Sequence, residues 1–201
     1  DLNETELLSK RILEWECTQN IKRLSLPDYT PIDQMWSVNL VMGQFASGAS
    51  AQPFETVQDY ENWLKRVDEY LVWFASARYK MEEGIKNGYV LPKSLIVKVI
   101  PQMEAMAKED LENHLYYTPV KLLPESFTEE EKTKLKNDYR SMVLEKIVPA
   151  HRDMVKFLKN VYLPAGRETS GFGSLPEGDR IYQTMITYFT TTDMTAEEIH
   201  E

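Results

Sequence analysis

Three histidines are the side chains of this sequence best suited to bind a metal or move a proton near neutral pH: His114, His151 and His200. None of them stands in an H-E-x-x-H pattern, which would place two imidazoles and a glutamate on one helical face. Glu197 and His200 match one Glu-x-x-His half of a di-iron site. Such a site needs two halves, and the residues three positions before the other histidines are apolar. The sequence therefore predicts no metal ligand set in this chain.

Candidate nucleophiles are equally sparse. The single cysteine, Cys17, follows Glu16, whose negative charge would raise the pKa of the thiol, so we expect a small core residue. Ser174 lies in a GFGSLP segment with no strand signal before it, and it therefore lacks the setting of a nucleophile elbow. We predict no catalytic residue within this chain.

Two arginines stand where binding is conceivable. Arg78 falls on the apolar face of a predicted helix, where a cation needs a partner, and a paired structural arginine is the favoured interpretation. Arg167 stands beside Glu168 in a glycine-rich loop that follows a helix. A rigid guanidinium on such a loop suits a carboxylate ligand, whereas the alternative is an ion pair that fixes the loop. Both interpretations of Arg167 remain open on the sequence.

Helices must position these side chains, because apolar residues recur at three- and four-residue spacing along most of the chain. The clearest stripe covers residues 64–85 and is followed by the pair 87–88, Asn-Gly, where glycine can close a helix. Capping boxes beginning at Thr56 and Thr128 mark two helix starts. These patterns predict an all-α fold.

A second stripe covers residues 135–161 and continues straight across Pro149. One long helix with a kink explains it better than two unrelated helices, and Pro164 should end it. A further helix, capped by Asn3 or Thr5, is predicted at the start of the chain. The expected architecture is a multi-helix array with long kinked helices and little or no sheet.

Other segments are less regular. Residues 36–46 suit a short buried helix or a strand, and periodicity does not decide between them. Residues 116–127 contain two prolines and are predicted to form a linker, and residues 165–178 a shaped loop. We expect Asp179 to cap the helix after that loop. Pro92 suits the first turn of a helix that Pro101 should kink.

Composition excludes some partners. The 201 residues carry 32 acidic and 23 basic side chains, a formal charge of −9. Nucleic-acid affinity depends on neutralising phosphates, so we expect no nucleic acid as a partner. No apolar run approaches the roughly 20 residues of a membrane-crossing helix, and none is predicted.

The C-terminal residues begin a helix that they hardly continue. Thr195 and Glu198 form a capping box, and only three residues follow it. A single turn does not offset the free energy of helix nucleation. We therefore expect residues 1–201 to be a single helical unit cut from a larger protein. The alternative is a frayed tail in which the T-x-x-E pattern occurs by chance.

Three stretches of the sequence resemble the bacterial family called domain of unknown function 885: residues 53–70, 81–96 and 148–200. The last stretch is the most specific. It contains Y-L-P-A-x-R, then G-x-x-x-L-P-x-G, a tyrosine, T-T-T-D and E-E-I-H in this order. The similarity covers most of residues 53–200 and is weaker over the first fifty residues.

This resemblance implies more than the chain contains. Members of the family look like exported, often lipid-anchored proteins whose C-terminal half carries a zinc-peptidase-like H-E-x-x-P-G-H motif. Zinc is thus expected in the full-length protein, with the C-terminal half as a partner of this chain and a peptide as a possible substrate. The matching residues carried over from the family are Arg167, Gly171, Pro176, Gly178, Tyr182, Glu198 and His200.

Within that set, Arg167, Tyr182 and His200 are the candidates for a substrate cleft, and Gly171, Pro176 and Gly178 are expected to shape the loop. The resemblance favours a non-catalytic N-terminal helical portion of a zinc-peptidase-like hydrolase, which shapes its cleft. The alternative is a self-contained helical binding or scaffold module without enzymatic activity.

Overall fold

The computed structural model describes residues 2–201, which contain helices and no β-strand. The α-helices are α1 (Glu4–Leu24), α2 (Val38–Ala46), α3 (Val57–Asn87), α4 (Lys93–Met106), α5 (Glu129–Ser141), α6 (Val148–Phe157), α7 (Leu163–Ala165), α8 (Gly178–Thr190) and α9 (Ala196–His200). Three 3-10 helices cover Leu111–Asn113, Leu115–Leu122 and Phe172–Ser174. Two π-helices cover Met142–Ile147 and Leu158–Tyr162. The all-α prediction is confirmed, and no helix in this range is long and apolar enough to cross a bilayer.

The chain divides into two compact units. The central unit is Tyr29–Glu168, and the terminal unit combines the residues up to Asp28 with Thr169–Glu201. The expectation of a single helical unit over residues 1–201 within a larger protein stays a prediction.

Helix α3 provides one long face of the central core. It begins at the predicted capping box, in which the Thr56 hydroxyl accepts from the Asp59 N–H at 3.2 Å and the Asp59 carboxylate accepts from the Thr56 N–H at 2.8 Å. It ends where Gly88 takes a left-handed φ of 80°, which glycine adopts without strain. Trp63 and Phe74 are buried on its inner face. The sequence predicted both the start and the end of this helix.

A continuous helical run extends from Glu129 to Ala165, as the second apolar stripe predicted, although it passes through Pro164, which was expected to end it. The run crosses Pro149, and a π-helix precedes it; a second π-helix precedes Pro164. Proline has no N–H to donate, and its ring crowds the carbonyl one turn earlier. The wider π turn, in which the Val148 N–H donates to the Val143 carbonyl, accommodates the proline without breaking the helix.

Two irregular segments differ from the expectations. Residues 36–46, left open between helix and strand, form α2 from Val38 onward. The linker predicted for residues 116–127 is wrong in its first part, because Leu115–Leu122 is a 3-10 helix with Tyr116 and Val120 buried. These apolar side chains pack on the core, and a short 3-10 helix tolerates the proline among them.

Three local predictions also need correction. Pro92 is the N-cap of α4 and not part of its first turn. Helix α8 begins one residue before Asp179, with Glu177 as its N-cap in a left-handed conformation, so Asp179 contributes only its charge to the first turn. Cys17 is exposed rather than in a core, because α1 turns only Gln19 fully inward.

Arg78 has the structural partner that its position requires. Its Nε donates to Glu82 at 3.0 Å, one turn along α3, and its guanidinium lies 5.2 Å from the centre of the Phe157 ring. The apolar stem therefore lies beside the core while the charge is paired at the surface.

Candidate functional site

The predicted cleft residues fall in different units, with Arg167 in the central unit and Tyr182 and His200 in the terminal unit. Each is therefore described where it lies. Their shared role at one substrate cleft stays a prediction.

Arg167 fixes the end of the long helical run to the segment before α4. Its Nε donates to the Val90 carbonyl at 3.1 Å, and its backbone N–H donates to the Leu91 carbonyl at 3.2 Å. Its own carbonyl accepts from the Lys93 N–H at 2.9 Å, within an isolated parallel bridge to Pro92. Partial burial lowers the pKa of the guanidinium, which nevertheless stays charged at any physiological pH. These contacts favour the loop-fixing interpretation of Arg167.

Two further interactions join the same segments. The Tyr162 hydroxyl accepts from the Leu91 N–H at 3.1 Å, and burial raises the pKa of this hydroxyl to about 12. Lys93 and Glu168 form an ion pair at 2.5 Å on the surface. The junction is thus held by backbone and side-chain bonds together, and a ligand is not needed to explain it.

The other two candidates are more accessible. Tyr182 is 43% exposed on α8, and its ring stacks on Phe172 with centroids 6.2 Å apart. His200 is exposed on α9, whose start is the predicted Thr195–Glu198 capping box. The capping prediction is confirmed, and the helix it begins has five residues.

The predicted loop-shaping residues differ in how tightly they are held. Gly178 is buried, and a Cβ added there would lie 2.0 Å from the Phe172 carbonyl oxygen. Only glycine permits this approach of two backbone segments. Gly171 has open space around its Cβ position, and Pro176 is exposed.

The central unit contains a cavity of about 670 Å³, which we call the central cavity. Helix α2 contributes Asn39 and Gly43, α4 contributes Gln102 and Met106, and His151 of α6 lies at its wall. No Asp, Glu, Lys or Arg lines it, although 27% of the sequence is charged. Its volume lies within the usual range for small-molecule sites, and its walls suit an uncharged ligand.

His151 is the titratable group at this wall, and its surroundings keep it neutral. Its ring is 1% exposed and stacks on Phe74 with centroids 4.7 Å apart. Nδ1 lies 2.9 Å from the Ile147 carbonyl oxygen, which can only accept, so Nδ1 carries the proton. Nε2 is then an acceptor and lies 3.3 Å from the Tyr70 hydroxyl, which donates to it. Burial, opposed by the bond to Ile147, lowers the pKa of His151 to about 4.

The neighbouring phenols are neutral as well. Burial raises the pKa of Tyr70 and of Tyr116 far above that of an exposed tyrosine, and the proximity of Tyr116 raises the pKa of Tyr70 further. His151 is therefore a weak base with both ring nitrogens occupied. The arrangement suits the binding of uncharged groups, and it does not resemble an activated nucleophile with its base.

Amide side chains supply the polarity of the cavity wall. The Oδ1 atom of Asn39 and the Oε1 atom of Gln102 are buried and have no hydrogen-bond partner among residues 2–201. Gln102 is held at its other end, where Nε2 donates to the Gln34 carbonyl at 3.1 Å. Unpaired buried oxygens are unfavourable, and an N–H donor that reached them after rotation of the amides would relieve them.

Sequence reasoning considered His151 only as a metal ligand and missed this cavity. One signal was available: His151 follows Ile147 by four residues and precedes Met154 by three, which places it on the apolar stripe. Nothing comparable marked Asn39 and Gln102, because their neighbours in space are far away in sequence.

Zinc, which the family resemblance implies for the full-length protein, finds no suitable site in this part of the chain. Within residues 2–201, no three His, Cys, Asp or Glu side chains are placed to hold a metal ion. His151 offers no lone pair to a metal either, since Nδ1 is protonated and Nε2 accepts from Tyr70.

Comparisons with known proteins agree with this fold. The profile of the family described as bacterial protein of unknown function (DUF885) matches residues 1–201. A crystal structure described as "the putative lipoprotein from Colwellia psychrerythraea" is similar, with a TM-score of 0.75 and 17% identity. The match covers 87% of this chain and 31% of that one, so this chain spans about a third of its length. At this identity the similarity shows a shared fold, and no curated protein matches the chain.

Gly178→Ala should destabilise the loop before α8, because its methyl group would meet the Phe172 carbonyl and the backbone must shift. We expect the free energy of unfolding to fall by about 1–3 kcal/mol. Gly171→Ala, in open space, is the matched control and should change it by less than about 0.5 kcal/mol. Urea unfolding measures both, and equal effects would contradict the close approach.

His151 should make stability depend on pH. Its folded pKa of about 4 lies below the 6.5 of an exposed histidine, so between these values the unfolded state binds more protons. The contribution of His151 to the free energy of unfolding is therefore fully present above pH 6.5. It is lost as the pH falls toward 4, which lowers the free energy of unfolding by up to about 3 kcal/mol. His151→Gln should flatten this slope in urea unfolding.

His114 serves as the comparison for this effect. Burial lowers the pKa of His114 too, so it contributes with the same sign. His114→Gln should leave the His151 part of the slope in place. A His151→Gln variant with the wild-type slope would show that the buried imidazole is not its source.

Proposed function

This chain belongs to the DUF885 family of bacterial proteins, and we propose that it is the non-catalytic helical portion of a zinc-peptidase-like hydrolase, in which it holds the substrate. A further part of the same protein would supply the metal. The observation that carries the proposal is the central cavity, whose wall contains no charged residue.

The walls of the cavity suit a peptide side chain that is apolar and uncharged. Leu40, Met103 and Leu115 supply apolar surface, and burying apolar area drives binding at roughly 25 cal/mol per Å². An ionised side chain placed there would lose its hydration without gaining a partner of opposite charge. The cavity should therefore select against Asp, Glu, Lys and Arg.

The unpaired oxygens of Asn39 and Gln102 suit the backbone of the same ligand. A peptide carries an N–H donor beside each side chain, and small rotations of the two amides would bring their oxygens to it. An apolar side chain flanked by N–H donors satisfies both features of the wall. This combination supports a peptide over a hydrocarbon ligand.

The length of the similar structure supports the proposal that this chain is part of a larger protein. The similar structure is more than three times as long as the part that matches. We propose that the corresponding remainder of this protein docks against the helical portion as its C-terminal half. Export and lipid anchoring, in the periplasm or at its boundary, are proposed from the family resemblance and from the lipoprotein description of that structure.

Filling the cavity should abolish ligand binding. The probe is N-acetyl-phenylalaninamide, and the lysine and aspartate analogues test charge. Isothermal titration calorimetry on the 201-residue chain should show binding of the phenylalanine probe and at least about tenfold weaker binding of the charged ones. Gly43→Phe, which places a ring in the cavity, should weaken binding by about tenfold or more.

The control is Val97→Phe, which adds a ring at an exposed position of α4. This variant should bind the probe as the wild type does. If Gly43→Phe binds normally, or if the charged probes bind as well as the apolar one, the central cavity is not the substrate site.

Metal content tests the proposal that this chain holds the substrate while another part of the protein binds the zinc. We expect the 201-residue chain to retain no stoichiometric zinc in mass-spectrometric metal analysis, while a product of the gene that includes the C-terminal half retains it and hydrolyses peptides. Stoichiometric zinc on the side chains of residues 1–201 would defeat the proposal. A longer product with neither zinc nor hydrolytic activity would favour the self-contained binding module.

A further inference from the structure

Helix α1 turns one side chain fully inward, and that side chain is polar. Gln19 is 5% exposed, and its Oε1 atom has no hydrogen-bond donor in the described part of the chain. A buried amide oxygen without a donor is unfavourable. Apolar packing does not explain it, because apolar residues elsewhere on α1, such as Ile12 and Ile21, are more than half exposed.

Gln19 lies at a small cleft within the terminal unit, between α1 and α8. This α1–α8 cleft has a volume of about 270 Å³. It is lined by Gln19, Lys22, Arg180, Gln183, Thr184 and Thr187. Every lining residue is polar, in contrast to the walls of the central cavity.

The lining of the cleft carries two cations, Lys22 and Arg180, and Arg180 is paired with Glu177 beside the cleft. None of its lining residues is acidic, and Lys22 has no carboxylate within ion-pairing distance among residues 2–201. Arg180 donates through Nε to Glu177 at 2.6 Å, which leaves its two terminal nitrogens for another oxygen. A guanidinium commonly binds a carboxylate through such nitrogens, and a nearby ammonium adds attraction.

Two of the other lining side chains donate to the protein backbone. Gln183 donates through Nε2 to the Met194 carbonyl at 2.9 Å, and the Thr184 hydroxyl donates to the Arg180 carbonyl at 2.8 Å. The cleft therefore presents two cations and the buried acceptor Gln19, with the Thr187 hydroxyl also at its wall.

We propose that the α1–α8 cleft binds the C-terminal end of a peptide. The terminal carboxylate is held by Lys22 and Arg180, and the N–H of the last residue donates to Gln19 Oε1. A peptide C-terminus is the chemistry that places an anion and an N–H donor on the same carbon. A simple anion would leave the buried oxygen of Gln19 unpaired.

This inference rests on the terminal unit alone and goes beyond the substrate-holding role of the central cavity. Either can fail without the other. Gly43→Phe, which fills the central cavity, should leave binding at the α1–α8 cleft unchanged.

Calorimetry on the 201-residue chain with Gly43→Phe, whose central cavity is filled, tests the proposal with three probes: N-acetyl-Ala-Ala, its C-terminal amide, and acetate. We expect N-acetyl-Ala-Ala to bind, and the amide and acetate to bind at least about tenfold more weakly. An amide that binds equally well would show that the carboxylate is not recognised. Acetate that binds equally well would show an anion site only, and either result, or no binding at all, overturns the proposal.

Two variants localise the site. Lys22→Gln should weaken N-acetyl-Ala-Ala binding by about tenfold, while Lys10→Gln, on the same helix and paired with Glu14, should not change it. Gln19→Leu should weaken binding and leave the Tm equal or higher, because a buried unpaired oxygen is removed. If Lys22→Gln lowers only the Tm, Lys22 serves the C-terminal end of α1 and not a ligand, and the proposal is wrong.

Discussion

The central unit depends on one constraint, the burial of an uncharged His151 of α6 against α3. One ring nitrogen donates to Ile147, one turn earlier in the same helical run, and the other accepts from Tyr70 of α3, which is far away in sequence. Both bonds need the neutral ring in one tautomer. The same desolvation that lowers its pKa also disfavours a charged group beside it, in agreement with the ligand preference proposed for the central cavity.

The two candidate sites, both formed by helices, suit ligand groups of opposite character. In the central cavity, apolar side chains and neutral amides exclude ions, and affinity must come from buried area and a few N–H bonds. In the α1–α8 cleft, cations attract an anion at the surface, where solvent weakens each interaction and several are needed together. A peptide offers both chemistries, an apolar side chain and a charged end. The proposals are therefore compatible but physically independent.

Local patterns determined what the sequence could predict. The capping boxes at Thr56, Thr128 and Thr195, and the glycine stop at Gly88, involve residues at most four apart, and all four were correct. The apolar stripe predicted that the helix would cross Pro149, but not the π turn that makes the crossing possible.

What the sequence could not predict depends on tertiary placement. Asn39, Gln102 and His151 are separated by dozens of residues, and only the packing of α2, α4 and α6 brings them to one cavity. Gln19 resembles a surface residue of a polar helix, and nothing local marks it as buried. The sequence could not decide between the loop-fixing and the carboxylate-binding interpretation of Arg167 either, because its partner, the Val90 carbonyl, is 77 residues away.

The π-helix at Met142–Ile147 also sets the rotational phase of everything after it. A π turn accommodates one residue more than the α-helix on either side, and each residue of an α-helix advances the side-chain direction by about 100°. Without that added residue, α6 would present a different row of side chains to α3 and α4. The imidazole at the cavity wall is thus a product of helical phase, and a single-residue deletion upstream would remove it from the wall while leaving its own codon untouched.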